Sequence, residues 1–203
     1  MINIKIHFSV YLLIVLSLFV SSLKSVFIYL SIILIHEIFH IIASLIYKVK
    51  PTLIELTIIG GCVHIPFEKL KPSSQIIISL SGVFSNILMI FFSCLYDFPR
   101  YVINYNYILI LFSLLPIYPL DGFNIMNSLL FLFIKNYKKS IKLLMIINII
   151  SLLLFIIASI FFNIKFLILI SVFLVYKTVL LMKNYDYFYL KNLYNYKLSS
   201  LLK

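Results

Sequence analysis

Ile33-Leu34-Ile35-His36-Glu37-Ile38-Phe39-His40-Ile41-Ile42 sets two imidazoles and a carboxylate inside an apolar run that holds no other charged side chain from Ser25 to Tyr47. Ionisable groups at the centre of a membrane helix cost about 3 kcal/mol each, so each needs a partner or a function. Four residues turn a helix through about 400°, which leaves His36 and His40 about 40° apart on one face. Both can reach one metal ion. Glu37 lies one residue on, in reach of a water at the same place.

The rest of the chain agrees with a membrane setting. Of its 203 residues, 64% are apolar and 11% charged, against about 45–50% and about 25% in an ordinary soluble domain. A soluble globular domain is excluded. At about 20 apolar residues per crossing, there is material for roughly five to seven membrane helices and little else. The net charge of +11 lies in short lysine clusters between apolar runs, which is an orientation signal rather than a nucleic-acid surface.

Crossings are expected near Ile6 to Leu23, Ser25 to Tyr47, Ser74 to Leu95, Tyr105 to Ile134, Ile141 to Phe162 and Phe166 to Met182. Lys48, Lys50, Lys69 and Lys71 then share a side with Lys135, Lys138, Lys139 and Lys142 and with both termini. The positive-inside rule makes that side cytosolic. The fold expected is an all-α polytopic membrane protein with six transmembrane helices and a short β-hairpin between the second and third. The hairpin, Thr52 to Phe67, is read from alternating apolar residues about the Gly60-Gly61 turn. It is either an amphipathic loop without function or an edge strand that holds an extended substrate. Residues 1–182 are expected to form one domain and residues 183–203 a basic, tyrosine-rich cytosolic tail. Cys62 and Cys94 follow no metal-ligand spacing and are expected on opposite sides of the membrane, where they cannot pair.

Two histidines leave a catalytic zinc one protein ligand short. The fourth apolar run contains Leu115-Pro116-Ile117-Tyr118-Pro119-Leu120-Asp121-Gly122. Each proline removes a helix hydrogen bond, and a bilayer tolerates opened backbone only where protein or a water-filled cavity surrounds it. Asp121, the only other acidic residue deep in an apolar run, is offered at that break.

The His36–His40 helix, a strand pair about Gly-Gly, the stretch Ser81-Gly82-Val83-Phe84-Ser85-Asn86 and the segment from Leu114 to Gly122, in that order, resemble the site-2 proteases, which are intramembrane zinc metalloproteases. The six-crossing plan is most similar to the sporulation branch, whose members cleave a sigma-factor precursor. The resemblance implies one zinc held by His36, His40 and Asp121, with Glu37 as general base and later acid and Asn86 near the substrate. It implies a membrane-associated protein substrate, inhibitory membrane partners, and a bacterial inner or forespore membrane. Other substrates compatible with the family are an anti-sigma factor or a signal-peptide remnant. Phe39, Val83, Ser113 and Phe123 depart from the residues usual in the family. No CBS domain is expected, since about 20 residues follow the last crossing.

Other readings exist for these residues. The small residues from Ser81 to Asn86 also suit close helix contact, and His64 suits a solvated strand. A non-proteolytic metal-binding or transport protein would need polar groups along a path from both sides, and the outer halves of these runs hold almost none.

Overall fold

The computed structural model describes residues 3–6, 23–51, 53–57, 60–66, 70–134, 136–163, 165–190 and 193–194. Its strands are β1 (Asn3–Ile6), β2 (Leu53–Thr57) and β3 (Gly60–His64). Its helices are α1 (Leu23–Ile46), α2 (Pro72–Leu95), α3 (Arg100–Ser113), α4 (Asp121–Phe133), α5 (Tyr137–Phe161) and α6 (Lys165–Lys183). The chain falls into two compact units, Met1–Pro66 with Leu80–Phe112, and Phe67–Ser79 with Ser113–Lys203.

The expectation of an all-α chain with six crossings is corrected on three points. Among the described residues, three helices are long and apolar enough to cross a membrane: Lys24–Ile46, Pro72–Leu95 and Tyr137–Phe161. The expected fourth crossing is two helices of 14 and 13 residues, α3 and α4, each shorter than the roughly 20 residues a crossing requires. Pro116 and Pro119 are the physical reason, since neither can donate a helix hydrogen bond. The chain is also not all-α: β2 pairs antiparallel with β3 and parallel with β1, with Asn3 opposite Leu53 and Ile6 opposite Leu56. β2 therefore has strands on both sides. Parallel pairing needs a long crossover between its strands, and residues 7–52 supply one. Most of the expected first crossing, residues 7–22, lies outside the described residues.

In the first unit, Ile32 and Ile33 of α1 pack on Val102 and Leu109 of α3, with Tyr29, Met89, Tyr101 and Tyr105 around them. The buried residues of α1, Ile32, Ile33, His36, Glu37, His40, Ala43 and Ser44, recur every three or four positions, while Leu34, Ile38, Ile42 and Leu45 are exposed. The stripe is helical, and in a bilayer its polar members face protein. At the end of α1, Lys48 adopts a φ of 59°, and the Val49 N–H returns to the Ser44 carbonyl. Asp97 and Asn163 take the same left-handed conformation after α2 and α5. These are helix stops without the usual glycine.

The second unit is built on Phe123, Leu144, Met145 and Leu181, with Tyr118, Met126, Leu130, Tyr185 and Phe188 packed around them. Residues 185–190 are helical. The Phe188 ring lies 6.0 Å from that of Phe123, and the Tyr137 hydroxyl donates to the Tyr189 carbonyl. Tyr185 and Phe188 thus pack on this core. The Asn136 side chain accepts from the Lys139 N–H and caps α5.

Within this unit α4 is fixed by polar contacts. The Gln75 amide donates to the Leu70 carbonyl and accepts from the Ser128 hydroxyl, both buried. Gly122 sits against the carbonyls of Leu114 and Leu115, where a Cβ would overlap backbone oxygen. Gly122→Ala is therefore expected to destabilise the protein by about 1–3 kcal/mol. Thermal unfolding in detergent micelles reads this as a lowered Tm, and an unchanged Tm contradicts the packing described.

Candidate metal centre

His36 and His40 stand one helical turn apart on the buried face of α1, 4% exposed each, with Glu37 at 5% between them. Their rings meet edge to face, and the two Nε2 atoms lie 3.1 Å apart. Two nitrogens bound tetrahedrally to one zinc at about 2.0–2.1 Å lie about 3.3 Å from each other. The rings are therefore spaced as two ligands of one ion.

The remaining ring nitrogens face α2. His40 Nδ1 lies 3.3 Å from the Ser81 hydroxyl, and His36 Nδ1 lies 3.1 Å from the Asn86 side-chain amide. A histidine that gives Nε2 to a metal carries its proton on Nδ1 and needs an acceptor there. Ser81 offers one directly. Asn86 offers one when its amide is turned to present oxygen, which gives a partner to the Oδ1 that is otherwise buried without one.

Gly82 explains how two imidazoles fit against a packed helix. A Cβ at this position would overlap the Nε2 atoms of both His36 and His40, closer than the 3.0 Å that real Cβ contacts respect. The missing side chain leaves a hollow directly at the converging nitrogens. Ser81, Gly82, Ser85 and Asn86 share one face of α2, and the Ser85 hydroxyl bonds back to the Gly82 carbonyl, so no polar group on this face is spent on lipid.

Asp121 is the first residue of α4 and is half-buried. Before it, Ile117 N–H bonds to Leu115 O and Leu120 N–H to Ile117 O, two tight turns in place of a helix. A helix N-terminus favours a carboxylate, because its free N–H groups point toward it. His36 and His40 belong to the first unit and Asp121 to the second, and all three are residue types that can hold a metal ion. Two imidazoles and one carboxylate make a donor set suited to zinc, with a position left open.

Among solved structures, the chain resembles the site-2 protease from Methanocaldococcus jannaschii, with a TM-score of 0.69 over 87% of this chain and 89% of that one, at 23% sequence identity. The two share a fold. No family model and no curated protein matches the sequence. The sporulation branch expected from the six-crossing plan has no support in this likeness.

Two of the positions that depart from the family pattern, Phe39 and Phe123, have structural partners here. The Phe39 ring packs 6.5 Å from that of Phe84, and Phe123, where a second glycine was expected, is 1% exposed at the centre of the second unit. Asn86 is fully buried beside His36. It is a partner of that ring. His64 belongs to β3.

Two substitutions separate these roles. Gly82→Ala is expected to abolish stoichiometric metal binding, since either ring must leave its position to make room. Asn86→Leu is expected to weaken zinc affinity by about 10–100-fold, the usual effect of removing a partner of a ligand ring. Competition with a metal-buffering chelator measures both. Wild-type affinity in either variant contradicts the arrangement.

Proposed function

We propose that this chain is an intramembrane zinc metalloprotease that hydrolyses a peptide bond of a membrane-associated protein. The observation that carries the reading is the pair His36 and His40, with converging Nε2 atoms, beside the buried Glu37, in a chain whose described residues include three span-length apolar helices. The fold shared with a site-2 protease supports it. His36, His40 and Asp121 would hold the ion. When bound, zinc supplies Lewis acidity, polarising the scissile carbonyl and making water a better nucleophile near neutral pH.

The protein's own residues supply the remaining chemistry. Glu37, buried beside the two rings, takes a proton from the attacking water as its oxygen bonds to the carbonyl carbon. It returns that proton to the amine nitrogen as the C–N bond breaks. Ser81 and Asn86 hold the imidazoles in the tautomer that leaves Nε2 free for the ion. The N-terminus of α4 keeps Asp121 favourable as an anion. His40 lies six residues before the end of α1 at Ile46, about 9 Å along the axis, so water has a short path from one face of the membrane. The substrate class proposed is a protein with a membrane segment, because only such a chain presents a peptide bond at this depth. A sigma-factor precursor is one member of that class.

Glu37→Gln is expected to retain zinc while lowering turnover by about 10²–10⁴-fold, and Asp121→Ala to lose zinc affinity along with activity. Metal content and cleavage of a membrane-tethered reporter, measured on the same preparation, decide both. A Glu37→Gln protein that cleaves like wild type contradicts the acid–base role, and unchanged zinc affinity in Asp121→Ala removes that residue from the ligand set.

A further inference from the structure

We infer that Asn148, in the middle of α5, is a positioning residue for Asp121. The inference deepens the metalloprotease reading and rests on it for the role of Asp121. Tyr137–Phe161 has the highest mean hydropathy of the three span-length helices, at 2.9, yet Asn148 within it is 1% exposed. Its Oδ1 accepts the backbone N–H of Tyr118 at 2.9 Å. Tyr118 lies three residues before Asp121, in the segment where Pro116 and Pro119 interrupt the helix.

The physical need is plain. A backbone N–H released from helix inside a membrane must be satisfied by protein or by water. Ile117 and Leu120 find carbonyls within the turn itself, whereas Tyr118 N–H is held from another helix, through Asn148. The ring of the same residue packs edge to face on Phe123 at 5.4 Å, two residues beyond Asp121. One clamp on the backbone and one on the ring thus bracket the carboxylate. The Asn148 Nδ2 is buried without a hydrogen-bond partner, so the side chain is oriented by the single bond from Oδ1 to Tyr118.

Loss of the clamp leaves the Pro116–Leu120 segment free to shift, and the zinc affinity falls with the placement of Asp121. Partners that orient metal ligands are worth about 10–100-fold in affinity. Asn148→Leu keeps the branching and the number of side-chain heavy atoms and removes the acceptor, whereas Asn148→Asp keeps an oxygen in place. Leu152→Ala, on the same buried face one turn further along, is the control for general loosening of α5.

The experiment uses the full chain in detergent or nanodiscs and has two readouts: zinc affinity by chelator competition, and hydrogen–deuterium exchange of the peptide covering residues 115–120. Asn148→Leu is expected to raise exchange in that peptide and to weaken zinc binding by about tenfold or more, with Asn148→Asp restoring both toward wild type. Leu152→Ala is expected to lower Tm without either change. Wild-type exchange in Asn148→Leu overturns the clamp. Equal losses in Asn148→Leu and Leu152→Ala at matched Tm reduce Asn148 to a packing residue and overturn the inference. If raised exchange comes with unchanged zinc affinity, the clamp does not position Asp121 and the inference is again overturned. Should the wild-type protein bind no zinc, the metalloprotease reading fails, and with it the role assigned here, while the exchange data still read the clamp itself.

Discussion

A lone imidazole or carboxylate in the middle of a bilayer is stable only if other groups replace the water it has lost. That constraint organises this molecule. His36, Glu37 and His40 occupy a helix whose exposed positions are mostly aliphatic and aromatic, so the polar face must be covered by a surface that is both close and polar. α2 supplies it with Ser81, Gly82 and Asn86: two groups that bond the outer ring nitrogens and one residue with no side chain where the inner nitrogens converge. A bulkier α2 would separate the helices, and an apolar one would leave the Nδ1–H groups without acceptors.

The same constraint shapes the stretch that carries Asp121. An acidic ligand at a helix N-terminus requires a break in the chain, and a break within apolar surroundings exposes backbone groups that must be satisfied. The second unit meets this need with side chains taken from elsewhere in the sequence. Asn148 takes a backbone N–H, Gln75 joins the Leu70 carbonyl to Ser128 on α4, and Gly122 permits backbone to lie on backbone. Phe188 and Tyr185, from beyond α6, fill the core around Phe123. Each of these lies within the second unit.

How far the sequence could be read follows from the kind of signal each feature leaves. HExxH on an apolar helix specifies its own geometry, because the helical period alone fixes the relation of His36 to His40. The prolines about Tyr118 likewise announce a break, and Asp121 stands out because acidic residues are rare here. The fold class was read less well. The prolines signal a break within one crossing, whereas in the structure they divide it into two short helices. β1 is not legible, since four residues carry too little periodicity to be recognised as a strand and only Ile6 falls within the first expected crossing. Asn148 and Gln75 were passed over, because a polar residue in a membrane helix reveals a need for a partner but not which partner. Gly82 lay within a stretch that was singled out, but nothing in the sequence states that its absent side chain is where two nitrogens point.

The account depends most on one metal ion being held by two imidazoles and a carboxylate. X-ray absorption at the zinc edge on the purified, zinc-loaded protein tests this directly. The account predicts a shell of nitrogen and oxygen at about 2.0–2.1 Å, with the outer-shell scattering of two imidazole rings and no sulfur. A sulfur contribution at about 2.3 Å, or a shell with no imidazole scattering, would contradict it.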